Sequence, residues 1–245
     1  MEQDAKRRVG VLAFGDSITN GGGELQWGVA LQSWALWLAR ALGLPFTAYA
    51  TDGARVGDVL TAQIPAYGRH NAYSDAYYEL GCLYIGVNDI RALDWDVELF
   101  EQRFELALWF LHQRCDRILT ATAPLDLGRP RVGAKMQELN AAIERVAARL
   151  DALVLDLSAF SARNLVMTDH VHPTAFGQIA IAERALEQLE RDGMRVMVRP
   201  SSLIYYETTR WQRLRGDTTY VYRHLKESGR ALRMQTLAQL YRLGG

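Results

Sequence analysis

The chain has 245 residues, enough for one large domain or two small ones. Its 49% hydrophobic and 23% charged content excludes long intrinsic disorder. Its 28 basic and 28 acidic side chains leave no overall positive field to draw nucleic acid. Two cysteines, Cys82 and Cys115, are too few for a disulfide scaffold or a four-thiolate zinc site, and read as reduced, packed thiols. The run 9–14 is too short for a signal-peptide core, and the uncharged stretch 25–39 falls short of a membrane span. The expectation is a soluble, cytoplasmic protein.

Apolar runs alternate with helix-period stretches. Residues 9–14 (VGVLAF) read as a buried strand, and Trp27, Leu31, Trp34, Ala35, Leu38 and Leu42 recur at helical spacing. A second strand follows at 46–50, ending in the turn-like Thr51-Asp52-Gly53, then a short helix at 56–64 and a third strand at 82–85. Helices around 100–111 and 136–150 flank strands at 118–121 and 153–157, and a last long helix follows Pro173. Strands alternating with helices imply right-handed crossovers and a parallel sheet between helical layers.

The composition shifts near Arg195. From there to the end stand ten Lys/Arg and three Asp/Glu, so a tail of charge +7 follows an acidic body of −7. The expected organisation is an αβ domain over 1–193 and a basic, aromatic-rich, mostly helical extension over 194–245. In the extension, 194–198 alternates as a short strand would. From about Thr219 a helix places Val221, Leu225 and Leu232 on one face and Arg223, Lys226, Arg230 and Arg233 on the other. Two readings stand: the apolar face docks on the oppositely charged body, or the basic stripe meets an anionic membrane surface, a phosphate-bearing substrate or an acidic carrier protein.

In an open parallel sheet, ligands bind beyond the carboxyl ends of the strands. The first strand ends in Gly15-Asp16-Ser17-Ile18-Thr19, which puts a serine on a strand-to-helix turn. Taken alone, Ser17 is better read as a helix cap. The second strand ends at Gly53 and the third at Gly86-Val87-Asn88-Asp89. Each is an ordinary turn by itself, but a backbone N–H at Gly53 and the Asn88 amide would suit an oxyanion hole beside Ser17. The fourth piece is Asp169-His170-Val171-His172-Pro173. Ser17 needs a base, and His172 is three residues from a carboxylate that would fix its tautomer. His170 competes as base but lies too close to Asp169 for a side-by-side pair. Pro173 is expected at the first helical position.

These four motifs, GDSIT, TDGARVGD, GVND and DHVH, in this order resemble the SGNH (GDSL-like) hydrolases, over residues 9 to about 189. The resemblance implies a five-stranded parallel sheet in the flavodoxin-like order. It implies Ser17 as nucleophile, His172 as base and Asp169 as its partner. It implies the backbone N–H groups of Ser17 and Gly53 and the Asn88 amide as oxyanion donors. The second block departs from the family pattern, with Thr51-Asp52 where Asn usually opens it.

The activity expected is hydrolysis of a small carboxylic ester, an O-acetyl or short acyl group, through an acyl-enzyme, with no cofactor and no metal. A thioesterase or acyltransferase would use the same triad. Two other classes share some of these residues. A metal-dependent phosphoesterase would draw on Asp16, Asn88, Asp89, Asp169, His170 and His172. A sugar- or lipid-binding module on an inactive scaffold fits less well, because every triad residue is present. Trp27 is a core residue or lines a substrate pocket; Arg55 and Asp89 are pocket-edge residues or a structural ion pair.

Overall fold

The computed structural model describes residues 8–25, 29–71, 76–127, 132–162 and 164–205, and beyond them 209–211, 214, 217–219, 221, 222, 225, 226 and 229. Five strands, β1 (Val11–Gly15), β2 (Phe46–Ala48), β3 (Tyr78–Tyr84), β4 (Cys115–Ala121) and β5 (Leu153–Leu155), form one parallel sheet in the order β2-β1-β3-β4-β5. This is the expected order. Every residue of β1, and all of β3 except Glu79, is buried, which is why these strands read as unbroken apolar runs. Helices α2 (Trp34–Leu42) and α7 (Ala175–Arg191) pack on each other, as do α5 (Val97–His112) and α6 (Lys135–Arg149), giving a helical layer on each side of the sheet. The carboxyl ends of β1, β2 and β3 therefore meet along one edge.

Several boundaries differ from the sequence reading. The helix expected from Trp27 begins at Trp34, because the Ser33 hydroxyl accepts from Leu36 N at 3.1 Å and caps it there; Trp27 itself lies outside the described residues. The helix expected to stop at 64 continues. After α3 (Val56–Asp58) a π-helical turn runs over Val59–Gln63 and passes into α4 (Ile64–His70). Pro65 is tolerated in the first turn of α4, where no backbone donor is needed. Pro173 is not the first helical residue: Thr174 caps α7, its hydroxyl accepting from Gly177 N at 3.1 Å. Residues 194–199 form no strand, although Met197 N donates to Ala41 O at the end of α2.

In the extension the described positions from Arg210 to Gly229 are helical, an earlier start than 219. Trp211, Leu214, Val221, Tyr222 and Leu225 are all exposed there. Arg223, Arg230, Leu232 and Arg233 lie outside the described residues. Both cysteines are free and buried. Among the described residues, no helix is long and apolar enough to cross a membrane.

Candidate active site

The nucleophile turn is built by local rules. β1 ends at Gly15, with φ +152°, where an added Cβ would stand 2.5 Å from Tyr84 O and 2.7 Å from Thr19 Oγ1. Only glycine lets the chain bend so close to β3. Asp16 then caps the one-turn helix α1 (Ser17–Asn20), its Oδ1 accepting from Ile18 N at 2.9 Å. Ser17, which taken alone read as the cap, is instead the first residue inside the helix. Its side chain is thereby free for another partner.

That partner is His172. Ser17 Oγ lies 2.8 Å from His172 Nε2, and His172 Nδ1 lies 2.7 Å from Asp169 Oδ2. The other Asp169 oxygen accepts from Val171 N at 2.9 Å and His172 N at 3.1 Å, which fixes the loop that carries both residues. Burial works to raise the Asp169 pKa, but the His172 ring and the two backbone donors outweigh it, and the carboxyl is held below its ordinary range. The hydrogen bond His172 donates to Asp169 raises the His172 pKa against an opposing desolvation, helped by the charges of Asp169 and Asp16 and opposed by Arg91. With Nδ1 donating to Asp169, Nε2 is left to accept from the serine hydroxyl.

An open cleft of about 420 Å³ lies over Ser17, within the size range of small-molecule sites. Its lining includes Gly22, Gly23, Asp52, Gly53, Asn88, Met167 and His172. Gly53 takes φ +74°, the left-handed turn that the TDG sequence suits. The departure at Asp52 has a local role, since Asn20 Nδ2 donates to Asp52 Oδ1 at 2.9 Å. Asn88 spends one amide hydrogen on Ala54 O at 3.0 Å, which orients the side chain and leaves its second N–H available.

Ser17, Gly53, Asn88 and His172 thus line one cleft, and Asp169 is joined to it through His172. The other candidates separate. His170, in a left-handed conformation at φ +57°, turns away and pairs with Asp126 at 2.9 Å. Asp89 accepts from Val56 N, 3.2 Å from each carboxylate oxygen, while Arg55 pairs with Asp94 at 3.0 Å rather than with Asp89. Burial pushes Asp89 up to about 6. Among the described residues, no three His, Cys, Asp or Glu side chains form a group able to hold a metal ion.

Residues 13–179 match the GDSL-like lipase/acylhydrolase family. The chain belongs to that family. With the sheet order and helical layers above, it is a serine esterase of the SGNH type, a hydrolase of carboxylic esters. No curated protein matches the sequence. Solved structures of the same fold include LAE5, an α/β hydrolase enzyme from the metagenome of Lake Arreo, Spain. It is 19% identical, with a TM-score of 0.57, over 74% of this chain and 94% of that one. Axe2, an acetylxylan esterase from Geobacillus stearothermophilus, is 18% identical, with a TM-score of 0.57, over 75% of this chain and 96% of that one.

Two buried glutamines in this esterase escaped the sequence reading. Gln63 brackets the end of β1, accepting from Gly15 N at 3.1 Å and donating to Gly15 O at 2.7 Å. The π-helical turn ends on Gln63. Gln178, fully buried in α7, donates to Ile18 O and Gly22 O, both at 3.0 Å, and accepts from Trp34 N at 2.8 Å. Its signal was present: a polar residue on the apolar face otherwise formed by Ile179, Ala182 and Leu186.

Proposed function

We propose that this esterase cleaves a small carboxylic ester through an acyl-enzyme on Ser17. The observation that carries the reading is the hydrogen-bonded chain Ser17–His172–Asp169 opening on the cleft. In this mechanism His172 Nε2 takes the Ser17 proton as Oγ attacks the ester carbonyl. The tetrahedral oxyanion is met by the Ser17 and Gly53 backbone N–H groups and the Asn88 amide. The imidazolium, stabilised by Asp169, then gives its proton to the departing alkoxide. Water repeats the sequence on the acyl-enzyme, with His172 again as base, and Ser17 regains its proton. Support for the residue assignment also comes from Axe2, whose structures include catalytic mutants at a serine, an aspartate and a histidine.

The substrate class we favour is an O-acetyl or other short acyl ester. The acetylxylan esterase activity of Axe2 supports it, as does a cleft of about 420 Å³ whose lining includes Gly22 and Gly23. The test is a panel of esters and thioesters varied in acyl length, run with a phosphonate that forms a covalent bond to an active serine. Ser17→Ala should abolish both labelling and turnover, and neither should respond to EDTA. Labelling of Ser17→Ala as fast as wild type refutes the assignment. Transfer of the acyl group to an added alcohol in preference to water would make it a transferase with the same residues.

For the basic extension we propose contact with an acidic lipid surface. Trp211, Tyr222 and Leu225 are exposed at helical positions of a tail that carries ten basic and three acidic residues.

A further inference from the structure

His170 has no role in the chemistry above, yet its backbone is unusual. It takes φ +57°, a left-handed conformation that costs energy for a residue with a side chain and none for glycine. Strain of this kind persists only where surrounding contacts hold it in place. At position 170 one such contact is long-range: Nδ1 donates to Asp126 Oδ2 at 2.9 Å, across 44 residues of sequence. Only 19% of the His170 side chain is exposed.

Asp126 is a fixed point. It lies in the loop after β4, just beyond Ala123, which Asn140 of α6 holds from both sides. Asn140 Oδ1 accepts from Ala123 N at 2.8 Å and its Nδ2 donates to Ala123 O at 2.9 Å. Leu125 N donates to Ser158 O at 2.9 Å, and Leu127 is completely buried. His170 stands in the loop that carries Asp169 and His172. Within that loop Thr174 N donates to Leu165 O and Met167 N to His172 O, both at 2.9 Å, and His170 N donates to Met167 O at 3.0 Å. These bonds set the shape of the loop but not its place beside Ser17. Its root is tied down by Ala175 N, which donates to Glu24 O at 2.9 Å, and its turn by His170 on Asp126. The space beside the pair, lined in part by Pro124, Phe160, Val166 and Met167, is about 20 Å³, room for about one water molecule rather than a second ligand. Met167 also lines the catalytic cleft.

We infer that the His170–Asp126 pair is a latch that positions the catalytic loop. It ties the segment bearing Asp169 and His172 to the loop after β4, and so holds His172 Nε2 2.8 Å from Ser17 Oγ. The inference rests on the assignment of His172 as general base. His170 and Asp126 are positioning residues, since neither lines the catalytic cleft. His172 is two residues along from His170, so a small displacement of the turn passes to the base.

The test compares folded variants well below Tm, with kcat counted per Ser17 titrated by a phosphonate. His170→Gly suits the left-handed backbone and removes the latch; Asp126→Ala removes its other half. Each should lower kcat for a short-chain ester by roughly 10–10²-fold, the cost of displacing a catalytic group by up to about 1 Å, with little change in KM. Phosphonate labelling should slow alongside. The double variant should lose no more than either single one, because both remove the same contact. His170→Asn places an Nδ2–H where the imidazole held its Nδ1–H and tolerates the same φ, so it should recover most of the rate. A residue serving stability alone would lower Tm and leave kcat per active site unchanged. A folded His170→Gly or Asp126→Ala with wild-type kcat and labelling rate overturns the inference, as do losses that multiply in the double variant. Either single variant decides alone if the other does not fold. Wild-type Ser17 that takes no phosphonate overturns the acyl-enzyme reading, and the inference with it; normal wild-type labelling with unaffected latch variants overturns the latch alone.

Discussion

Replacing Gln178 by leucine should destabilise the protein by about 2–4 kcal/mol and slow catalysis, although residue 178 touches no substrate. Three hydrogen bonds are lost. Ile18 O keeps a second donor, Gly21 N at 3.3 Å, so the backbone groups left unpaired are Trp34 N, at the first turn of α2, and Gly22 O. An unpaired buried group costs roughly 1–3 kcal/mol, and the added apolar burial of leucine returns about 1–2 kcal/mol. At a few degrees per kcal/mol for a protein of this size, Tm should fall on the order of 5–10 °C. Ile18 follows Ser17, and Gly22 N donates to Ser17 O at 2.6 Å, so loosening this clamp also displaces the nucleophile. The assay is urea and thermal unfolding with kcat for a short-chain ester. Gln137→Leu, on the exposed face of α6, is the control and should stay within about 0.5 kcal/mol of wild type. A Gln178→Leu protein with unchanged Tm and kcat would refute the reasoning.

Other outcomes follow from the same geometry. Asn88→Ala should lower kcat by about 10²–10³ with little change in KM, because the amide acts on the oxyanion more than on the ground-state carbonyl; an unchanged kcat removes it from the oxyanion hole. kcat/KM should rise with pH through the ionisation of His172, with a midpoint above the ordinary histidine value of 6.5 because its folded pKa is raised. Asp169→Asn should bring that midpoint down and cut kcat sharply, which a pH–rate profile checks. The Asp169–His172 pair should also make stability depend on pH. The lowered Asp169 contributes stability above its ordinary value of 3.8 and loses it as pH falls through its depressed folded pKa. The raised His172 contributes below 6.5 and loses it as pH rises through its folded pKa. Urea midpoints across pH, compared with Asp169→Asn, measure both. Vesicles containing anionic phosphatidylglycerol should sediment the full chain, pure phosphatidylcholine should not, and raised salt should release it. Equal binding to both vesicle types, or to neither, refutes the lipid contact of the extension.

The sequence alone determined the strand–helix alternation, the parallel sheet, and the strand-end motifs that carry Ser17, Gly53, Asn88, Asp169 and His172; the order of the strands was implied by the resemblance to the SGNH hydrolases. These were legible because they are local or follow from chain direction. An apolar run is a buried strand wherever it goes, a parallel crossover has one hand, and each motif sits where its own strand ends. Asp169 and His172 share a loop, so their pairing needed no knowledge of the rest of the chain. What only the tertiary structure decided depends on residues far apart in sequence. Gln178 reaches back to Ile18 and Gly22, and Gln63, at the end of the π-helical turn, reaches Gly15. His170 left the site for Asp126, a partner 44 residues away that no local spacing marks. Asp16 looked like a motif letter; its complete burial and its unpartnered oxygen arise from packing. Burial sets the electrostatic cost of a charge, and burial is a property of the assembled fold rather than of any segment.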